Sequence, residues 1–226
     1  MHIESNIKGL CQRFGLDYNA FLEDMGVEHP SELAISDLEI IAEEHEVDLY
    51  SLIFKPTFFR MNLADKLNNI KLLVLDVDGV MTDGGMYVTE SGDQFKKFNT
   101  KDGMAIIHLT KNDFQVAIIS SGFKGEAVQQ RAITLGIQHC VVSRTPKIDT
   151  LREICITLGI ELNQVAMIGD DINDLEVMRA IGLTFCPKDA VPAVKSQVDV
   201  VLTKNGGEGC VRELIDNYLL EEPVNR

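Results

Sequence analysis

The chain has 226 residues, of which 45% are hydrophobic and 25% charged, so it can bury an ordinary core in one or two domains. Its formal net charge of −14 argues against a nucleic-acid partner, because binding to phosphate backbones needs clustered lysine and arginine. The five cysteines are isolated, the start lacks a signal-peptide pattern, and no apolar run is long enough to cross a bilayer. We therefore expect a cytoplasmic protein with reduced thiols and no membrane partner.

Residues 1–64 predict a small all-α domain. Apolar residues recur every three or four positions in IKGLCQRFG, YNAFLEDMG and LEIIAEEHEVDLYSLIF. Their spacing resembles a helix-turn-helix module of the phage-repressor type, but VEHPSEL, in the place of the groove-reading helix, is short, acidic and broken by Pro30. Residues 1–62 carry twelve acids and four bases, which would repel DNA. We expect a role in packing or protein contacts, with DNA binding as the alternative that a gel shift at low salt would test.

Residues 65–226 predict a Rossmann-like α/β domain. Its β-rich runs are KLLVLDV, QVAIISS, HCVVS, VAMIGD, LTFCP and DVVLT, and helical stretches alternate with them. This alternation indicates a parallel sheet with helices on both faces. After the first run, MYVT and QFKKFN flank the turn residues ESGD, which predicts a β-hairpin flap.

Acidic residues follow two of the predicted strands. Asp76 and Asp78 end the first run, and residues two apart in a strand point the same way, so both should stand at the ligand-binding edge of the sheet. Asp170, Asp171 and Asp174 follow VAMIG. A turn or a helix cap could explain one of these acids but not the set. A hard divalent cation would relieve their repulsion, so we predict a cation site between Asp76 and Asp170.

Four motifs resemble those of the haloacid dehalogenase-like phosphohydrolases in order and spacing. They are DVDGVMTDGG, the serine that ends VAIIS, the lysine of RTPKIDTL, and GDDINDLEVM. The resemblance implies a phosphomonoesterase in which Asp76 is the nucleophile and becomes phosphorylated, while Asp78 acts as general acid and base. It also implies that Ser120 holds a phosphoryl oxygen and that Lys147 neutralises the phosphate.

The same resemblance implies Mg²⁺ as the cofactor. Its ligands would be Asp76, the backbone carbonyl of Asp78, and Asp170, with Asp171 supporting the metal shell directly or through water.

The short spacing from Asp76 to Ser120 to Lys147 leaves no room for a cap domain. The hairpin, FNTKDGMAI and GGEGCVRE resemble a capless group, the 3-deoxy-D-manno-octulosonate 8-phosphate phosphatases and their relatives that act on nine-carbon sialic-acid-type 9-phosphates. In that group, one subunit's hairpin and tail complete a neighbour's site within a tetramer. The resemblance therefore implies a homo-oligomer, a small phosphorylated sugar acid as substrate, and substrate contacts from Thr100, Lys101, Asp102, Gly206, Gly207 and Glu208.

The substrate and the class of function have alternatives. FNT and GGEG favour a nine-carbon acid, whereas RAITLGI looks like the eight-carbon enzymes, and we predict the eight-carbon 8-phosphate. The second hypothesis is a regulatory or binding protein with a vestigial phosphatase fold. The presence of all four motifs argues against it. The third hypothesis is a mutase. Such an enzyme usually needs a mobile cap, and the spacing of the motifs in this chain leaves no room for one.

Overall fold

The computed structural model describes residues 2–14, 16–45, 47–55, 63, 66–122 and 125–220. The chain divides into two compact units, Met1–Asn68 and Asn69–Arg226, each with its own buried apolar cluster. The boundary predicted from the sequence lies four residues earlier. No helix within the described ranges is both long and apolar enough to span a bilayer.

Between Ile3 and Phe54, the described residues of the first unit form four α-helices around one apolar cluster. They are α1 (Ile3–Phe14), α2 (Tyr18–Asp24), α3 (Ile35–Glu44) and α4 (Leu49–Phe54). The run LEIIAEEHEVDLYSLIF is two helices, because Asp48 ends the break and caps α4 by accepting a hydrogen bond from Ser51 N at 2.8 Å. The segment VEHPSEL forms a single 3₁₀ turn at Pro30–Glu32. This is too short to serve as a groove-reading helix.

The second unit is a parallel six-stranded sheet between helices, with a separate antiparallel hairpin. Its strands are β1 (Leu72–Leu75), β2 (Tyr87–Val88), β3 (Gln94–Phe95), β4 (Gln115–Ser120), β5 (His139–Val142), β6 (Val165–Ile168), β7 (Leu183–Cys186) and β8 (Val200–Val201). Its helices are α5 (Thr100–Lys111), α6 (Glu126–Leu135), α7 (Lys147–Leu158), α8 (Leu175–Met178), α9 (Pro192–Lys195) and α10 (Cys210–Leu214). The sheet order is β5-β4-β1-β6-β7-β8. The predicted parallel sheet and the predicted β2–β3 hairpin are therefore confirmed.

The sheet brings the carboxyl ends of three strands together. Leu75 at the end of β1 pairs in register with Ile118 of β4 on one side and with Ile168 of β6 on the other. Every residue of β1 and β6 is buried, as expected for central strands covered on both faces. The polar residues that follow β1 and β6 therefore leave the core at the same edge of the sheet.

Candidate active site

A polar cavity of about 230 Å³ opens at this edge. It is lined by Asp76, Asp78, Gly79, Gly84, Ser120, Ser121, Asp170, Asp171 and Asn173. A larger, mostly apolar cavity of about 310 Å³ lies beside α5, and none of the predicted catalytic, metal-binding or substrate-binding residues lines it. Because phosphoryl chemistry needs charged and polar groups, the smaller cavity is the candidate active site.

A buried lysine joins two carboxylates at the floor of this cavity. Nζ of Lys147 lies 2.9 Å from Oδ1 of Asp76 and 2.6 Å from Oδ1 of Asp174, and all three residues are buried. Burial alone would lower the pKa of Lys147, but the two facing carboxylates more than offset this and raise it. Lys147 therefore remains a fixed positive charge in the floor of the site.

Asp174 also holds the turn that follows β6. Its Oδ2 accepts hydrogen bonds from the backbone amides of Asp170 at 3.1 Å and Asp171 at 3.4 Å. A Cβ atom at Gly169 would lie 2.4 Å from the same oxygen, so only glycine lets the carboxylate reach these amides. Asp174 thus ties Lys147 to the strand end that carries Asp170.

Asp170 presents a buried oxygen without a hydrogen-bond partner among the described residues. One oxygen each from Asp76, Asp170 and Asp174 lies within 4.8 Å of the others. Burial, followed by the neighbouring carboxylates, raises the pKa of Asp170 to about 7. Burial and the charge of Asp174 likewise raise the pKa of Asp76 to about 7, although Lys147 opposes the shift.

This arrangement fits a divalent metal ion. Three acids share one lysine, so the pocket has excess negative charge, and a buried carboxylate oxygen without a partner is a usual sign of a missing ligand. Mg²⁺ prefers such oxygens. Both oxygens of Asp174 already accept hydrogen bonds, so Asp76 and Asp170 have the better-placed free oxygens.

Gly79 lets the loop after β1 pass close to Asp170. Its φ is +83°, and a Cβ atom there would lie 2.0 Å from Oδ2 of Asp170. Any other residue at position 79 would push the loop and the carboxylate apart.

Asp78 stands at the rim of the cavity with its side chain half exposed. Lys96, which directly follows β3, forms an ion pair with Oδ1 of Asp78. The hairpin therefore contacts the loop after β1 through this pair. Sequence reasoning missed Lys96, because alternation in QFKKFN offers Lys96 and Lys97 without indicating which of them faces the site.

Ser120 and Asp171 occupy different depths of the cavity. Ser120 ends β4 and is buried, whereas Asp171 is exposed and its Oδ1 accepts a hydrogen bond from Ile172 N at 2.7 Å. Asp171 therefore caps the following turn at the rim of the cavity. The acid that lies beside Asp76 and Asp170 is Asp174. Its position four residues after Asp170 is the feature of the sequence that could have placed it in this cluster.

The residues predicted to contact substrate lie outside this cavity. Thr100 and Lys101 are exposed in the first turn of α5, whereas Asp102 is buried and accepts a hydrogen bond from Arg212 N at 2.7 Å. Glu208 accepts a hydrogen bond from Asn205 Nδ2 at 3.1 Å.

Gly206 and Gly207 pack against the backbone of their own chain. A Cβ atom at Gly206 would lie 1.9 Å from the carbonyl oxygen of Gly79, and one at Gly207 would lie 2.5 Å from Asp83 N. The structure thus shows a close approach of both glycines to the loop that follows β1, and their contact with substrate stays a prediction.

Comparisons with known proteins agree with this geometry. A family model for haloacid dehalogenase-like hydrolases matches residues 134–214. The 3-deoxy-D-manno-octulosonate 8-phosphate phosphatase KdsC of Yersinia pestis is 41% identical over 161 residues, which cover 71% of this chain and 86% of the relative. The crystal structure of the Y. pestis phosphatase matches with a TM-score of 0.66 at 39% identity, covering 69% of this chain and 83% of that one.

A second solved structure holds ligands. The 3-deoxy-D-manno-octulosonate 8-phosphate phosphatase of Moraxella catarrhalis, in complex with a magnesium ion, a phosphate ion and KDO, matches with a TM-score of 0.66 at 33% identity. The match covers 70% of this chain and 90% of that one. The chain therefore belongs to the haloacid dehalogenase-like hydrolases, in the group that contains these phosphatases.

Proposed function

We propose that this chain is a Mg²⁺-dependent phosphomonoesterase that hydrolyses 3-deoxy-D-manno-octulosonate 8-phosphate. The observation that carries the proposal is the buried cluster in which Lys147 joins Asp76 to Asp174 beside the unpartnered oxygen of Asp170. Relatives at about 40% identity that bear this activity in their names support the substrate.

Asp76 and Asp170 would hold the metal. Bound there, Mg²⁺ would supply positive charge that offsets the phosphate dianion and the attacking carboxylate. Lys147 adds a second fixed positive charge beside Asp76, and the hydroxyl of Ser120 at the end of β4 can donate a hydrogen bond to a phosphoryl oxygen.

The chemistry then follows from Asp76 and Asp78. A carboxylate oxygen of Asp76 forms a bond to phosphorus while the ester bond between phosphorus and the sugar oxygen breaks, and Asp78 gives its proton to that oxygen. Water next attacks phosphorus and passes a proton to Asp78 while the bond between phosphorus and the Asp76 oxygen breaks. Inorganic phosphate leaves, and the Asp76 carboxylate is restored. Asp78 suits this exchange because it stands at the rim, where substrate and water arrive.

The test measures phosphate release by the purified chain, with MgCl₂ or with EDTA, from the eight-carbon 8-phosphate and from a nine-carbon sialic-acid-type 9-phosphate. We expect release that depends on Mg²⁺ and a higher kcat/KM for the eight-carbon substrate. Asp76→Asn should abolish turnover, since an amide is a poor nucleophile, while leaving the circular dichroism spectrum unchanged. Normal activity in that variant would refute the mechanism, and preference for the nine-carbon ester would refute the substrate.

We further propose a homo-oligomer, with a tetramer as the form implied by the resemblance. Thr100 and Lys101 are exposed at the start of α5, and the stacked rings of Tyr87 and Phe95 are exposed on the hairpin, so these groups are available to a neighbouring copy. Light scattering on a size-exclusion column tests the assembly. A monomer with full activity would exclude a role for a second subunit.

The cytoplasmic location and the role of the first unit in packing or protein contacts stay predictions.

A further inference from the structure

Asp102 is a buried carboxylate that the proposed chemistry does not use. It lies in the first turn of α5 with 2% of its surface exposed, and it does not line the catalytic cavity. Its Oδ1 accepts a hydrogen bond from Arg212 N in α10 at 2.7 Å, and its Oδ2 has no hydrogen-bond partner in the described part of the chain. Burying a carboxylate is costly, so its place in the fold calls for a function.

The charged groups that face Asp102 come from two helices. Arg131 of α6 and Arg212 of α10 attract the carboxylate, and the thiol of Cys210 lies near it. Burial raises the pKa of Asp102 to about 6, against the opposing effect of the backbone amides of Arg212 and Gly209.

Arg131 holds the segment before Asp102 from the other side. Its guanidinium lies 5.5 Å from the centre of the Phe98 ring, and its Nη2 donates a hydrogen bond to Asn99 O at 3.4 Å. A Cβ atom at Gly103 would lie 2.2 Å from the same nitrogen, so the glycine leaves room for the arginine. The start of α5 is thereby fixed between α6 and α10.

The glycine-rich turn before α10, residues 205–209, is fixed to the same place. Asn99 Nδ2 donates a hydrogen bond to Gly207 O at 3.0 Å, while Gly207 N donates to Val80 O at 2.9 Å. Cys210 Sγ reaches the same Val80 oxygen at 3.3 Å. The turn therefore packs directly against the loop 77–83.

That loop carries Asp78 and Gly79, the residues that face the leaving group and the Asp170 carboxylate in the proposed mechanism. Displacing the turn would shift the loop, because the Gly206 and Gly207 backbones leave no space between the two segments.

We infer that Asp102 is a positioning residue, which anchors α10 and the glycine-rich turn so that the turn holds the Asp78–Gly79 loop in its catalytic position. The inference rests on the proposed phosphatase function. It assigns Asp102 a role within its own subunit, in place of a contact with substrate.

The test compares Asp102→Ala and Asp102→Asn with a matched truncation, Asp199→Ala. Asp199 Oδ2 also accepts hydrogen bonds from a backbone amide and a hydroxyl, those of Thr184 at 3.0 Å each, but these bonds join β7 to the segment before β8, and β6 separates β7 from β1 in the sheet. For each variant, kcat and KM for the eight-carbon 8-phosphate are measured at saturating MgCl₂, together with the melting temperature.

We expect Asp102→Ala to lower kcat about tenfold or more with KM nearly unchanged, because misplaced catalytic groups slow the reaction itself. Asp102→Asn should recover most of this loss, since its amide oxygen can still accept the bond from Arg212 N. Asp199→Ala should leave kcat within about twofold of the parent, even if it lowers the melting temperature as much as Asp102→Ala does.

Three results would overturn the inference while the parent enzyme remains active. These are an unchanged kcat in Asp102→Ala, a raised KM with unchanged kcat, which would mean contact with substrate, and an equal loss of kcat in Asp199→Ala at an equal melting temperature. If the parent chain itself releases no phosphate, the proposed function fails, and this inference fails with it.

Discussion

The backbone at Gly79 lies so close to the carboxylate of Asp170 that a side chain at position 79 would displace this candidate metal ligand. We predict that Gly79→Ala lowers kcat/KM by at least about 100-fold, because the methyl group would occupy the place of Asp170 Oδ2. Gly159→Ala is the matched control, since φ there is +65° and an added Cβ atom meets nothing within 4 Å. Each change costs about 1–2 kcal/mol of backbone strain. Equal activity in the two variants would contradict the prediction.

The raised pKa values of Asp76 and Asp170 set the pH dependence of metal binding. Both pKa values rise from an ordinary value near 3.8 to about 7, so the folded protein holds these protons more tightly than the unfolded chain does. Their contribution to the stability of the metal-free protein is therefore present below about pH 4 and is lost as the pH rises through about 7.

Metal binding has the opposite trend, because the ion must displace these protons. We predict that the affinity for Mg²⁺ rises by about tenfold per pH unit for each proton displaced below pH 7, then levels off above about pH 8. Melting curves with and without MgCl₂ at several pH values measure this. Asp170→Asn should weaken Mg²⁺ binding at all pH values and reduce its dependence on pH. An affinity for Mg²⁺ that stays constant from pH 5 to pH 8 would contradict the pKa of about 7 for these carboxyl groups.

The sequence alone identified the acids after β6 but not the orientation of their side chains. Asp170, Asp171 and Asp174 stand together in the sequence as a cluster, but the sequence does not show which of them faces Asp76. A 3₁₀ turn at Ile172–Asp174 directs Asp174 inward to Lys147 and leaves Asp171 at the rim. Such a turn depends on the hydrogen bonds that Asp174 makes with the amides at 170 and 171, which no local pattern reveals.

Among the elements, the hairpin formed by β2 and β3 contacts the acid/base residue Asp78 through the ion pair that Lys96 makes with it. We predict that Lys96→Ala lowers kcat about tenfold, because the positive charge that holds the acid/base residue Asp78 is removed. Lys97→Ala is the matched control, since Lys97 is 70% exposed and pairs with Asp83 at 3.5 Å.

Steady-state kinetics of both lysine variants measure whether Lys96→Ala lowers kcat more than Lys97→Ala does. A larger loss in Lys97→Ala than in Lys96→Ala would mean that Asp83, not Asp78, connects the hairpin to the loop.

The sequence predicted the strands better than the helices. The strands were found because each is a short apolar run bounded by turn residues, and β1 and β6 are buried along their whole length. The run LEIIAEEHEVDLYSLIF keeps a helical period across a break that Asp48 creates by capping α4, so periodicity alone could not divide it. The hairpin followed from its turn residues, but its ion pair did not.

For the whole molecule, the two units have separate cores. The cluster of the first unit includes Ile7, Leu10, Ile41 and Leu52, while that of the second is built on β1, β4 and β6. The candidate metal site lies wholly in the second unit. A ligand stabilises only the cooperative unit that binds it.

We therefore predict two unfolding transitions in calorimetry, of which MgCl₂ raises only one. Leu52→Ala, which truncates a fully buried side chain, should cost the first unit about 2–5 kcal/mol and lower only the transition that MgCl₂ does not move. Leu75→Ala is the matched truncation in β1, and it should lower the transition that responds to MgCl₂. A single transition that shifts with both truncations and with the metal would mean that the units unfold together, and the acidic helical unit would then contribute to the stability of the phosphatase unit.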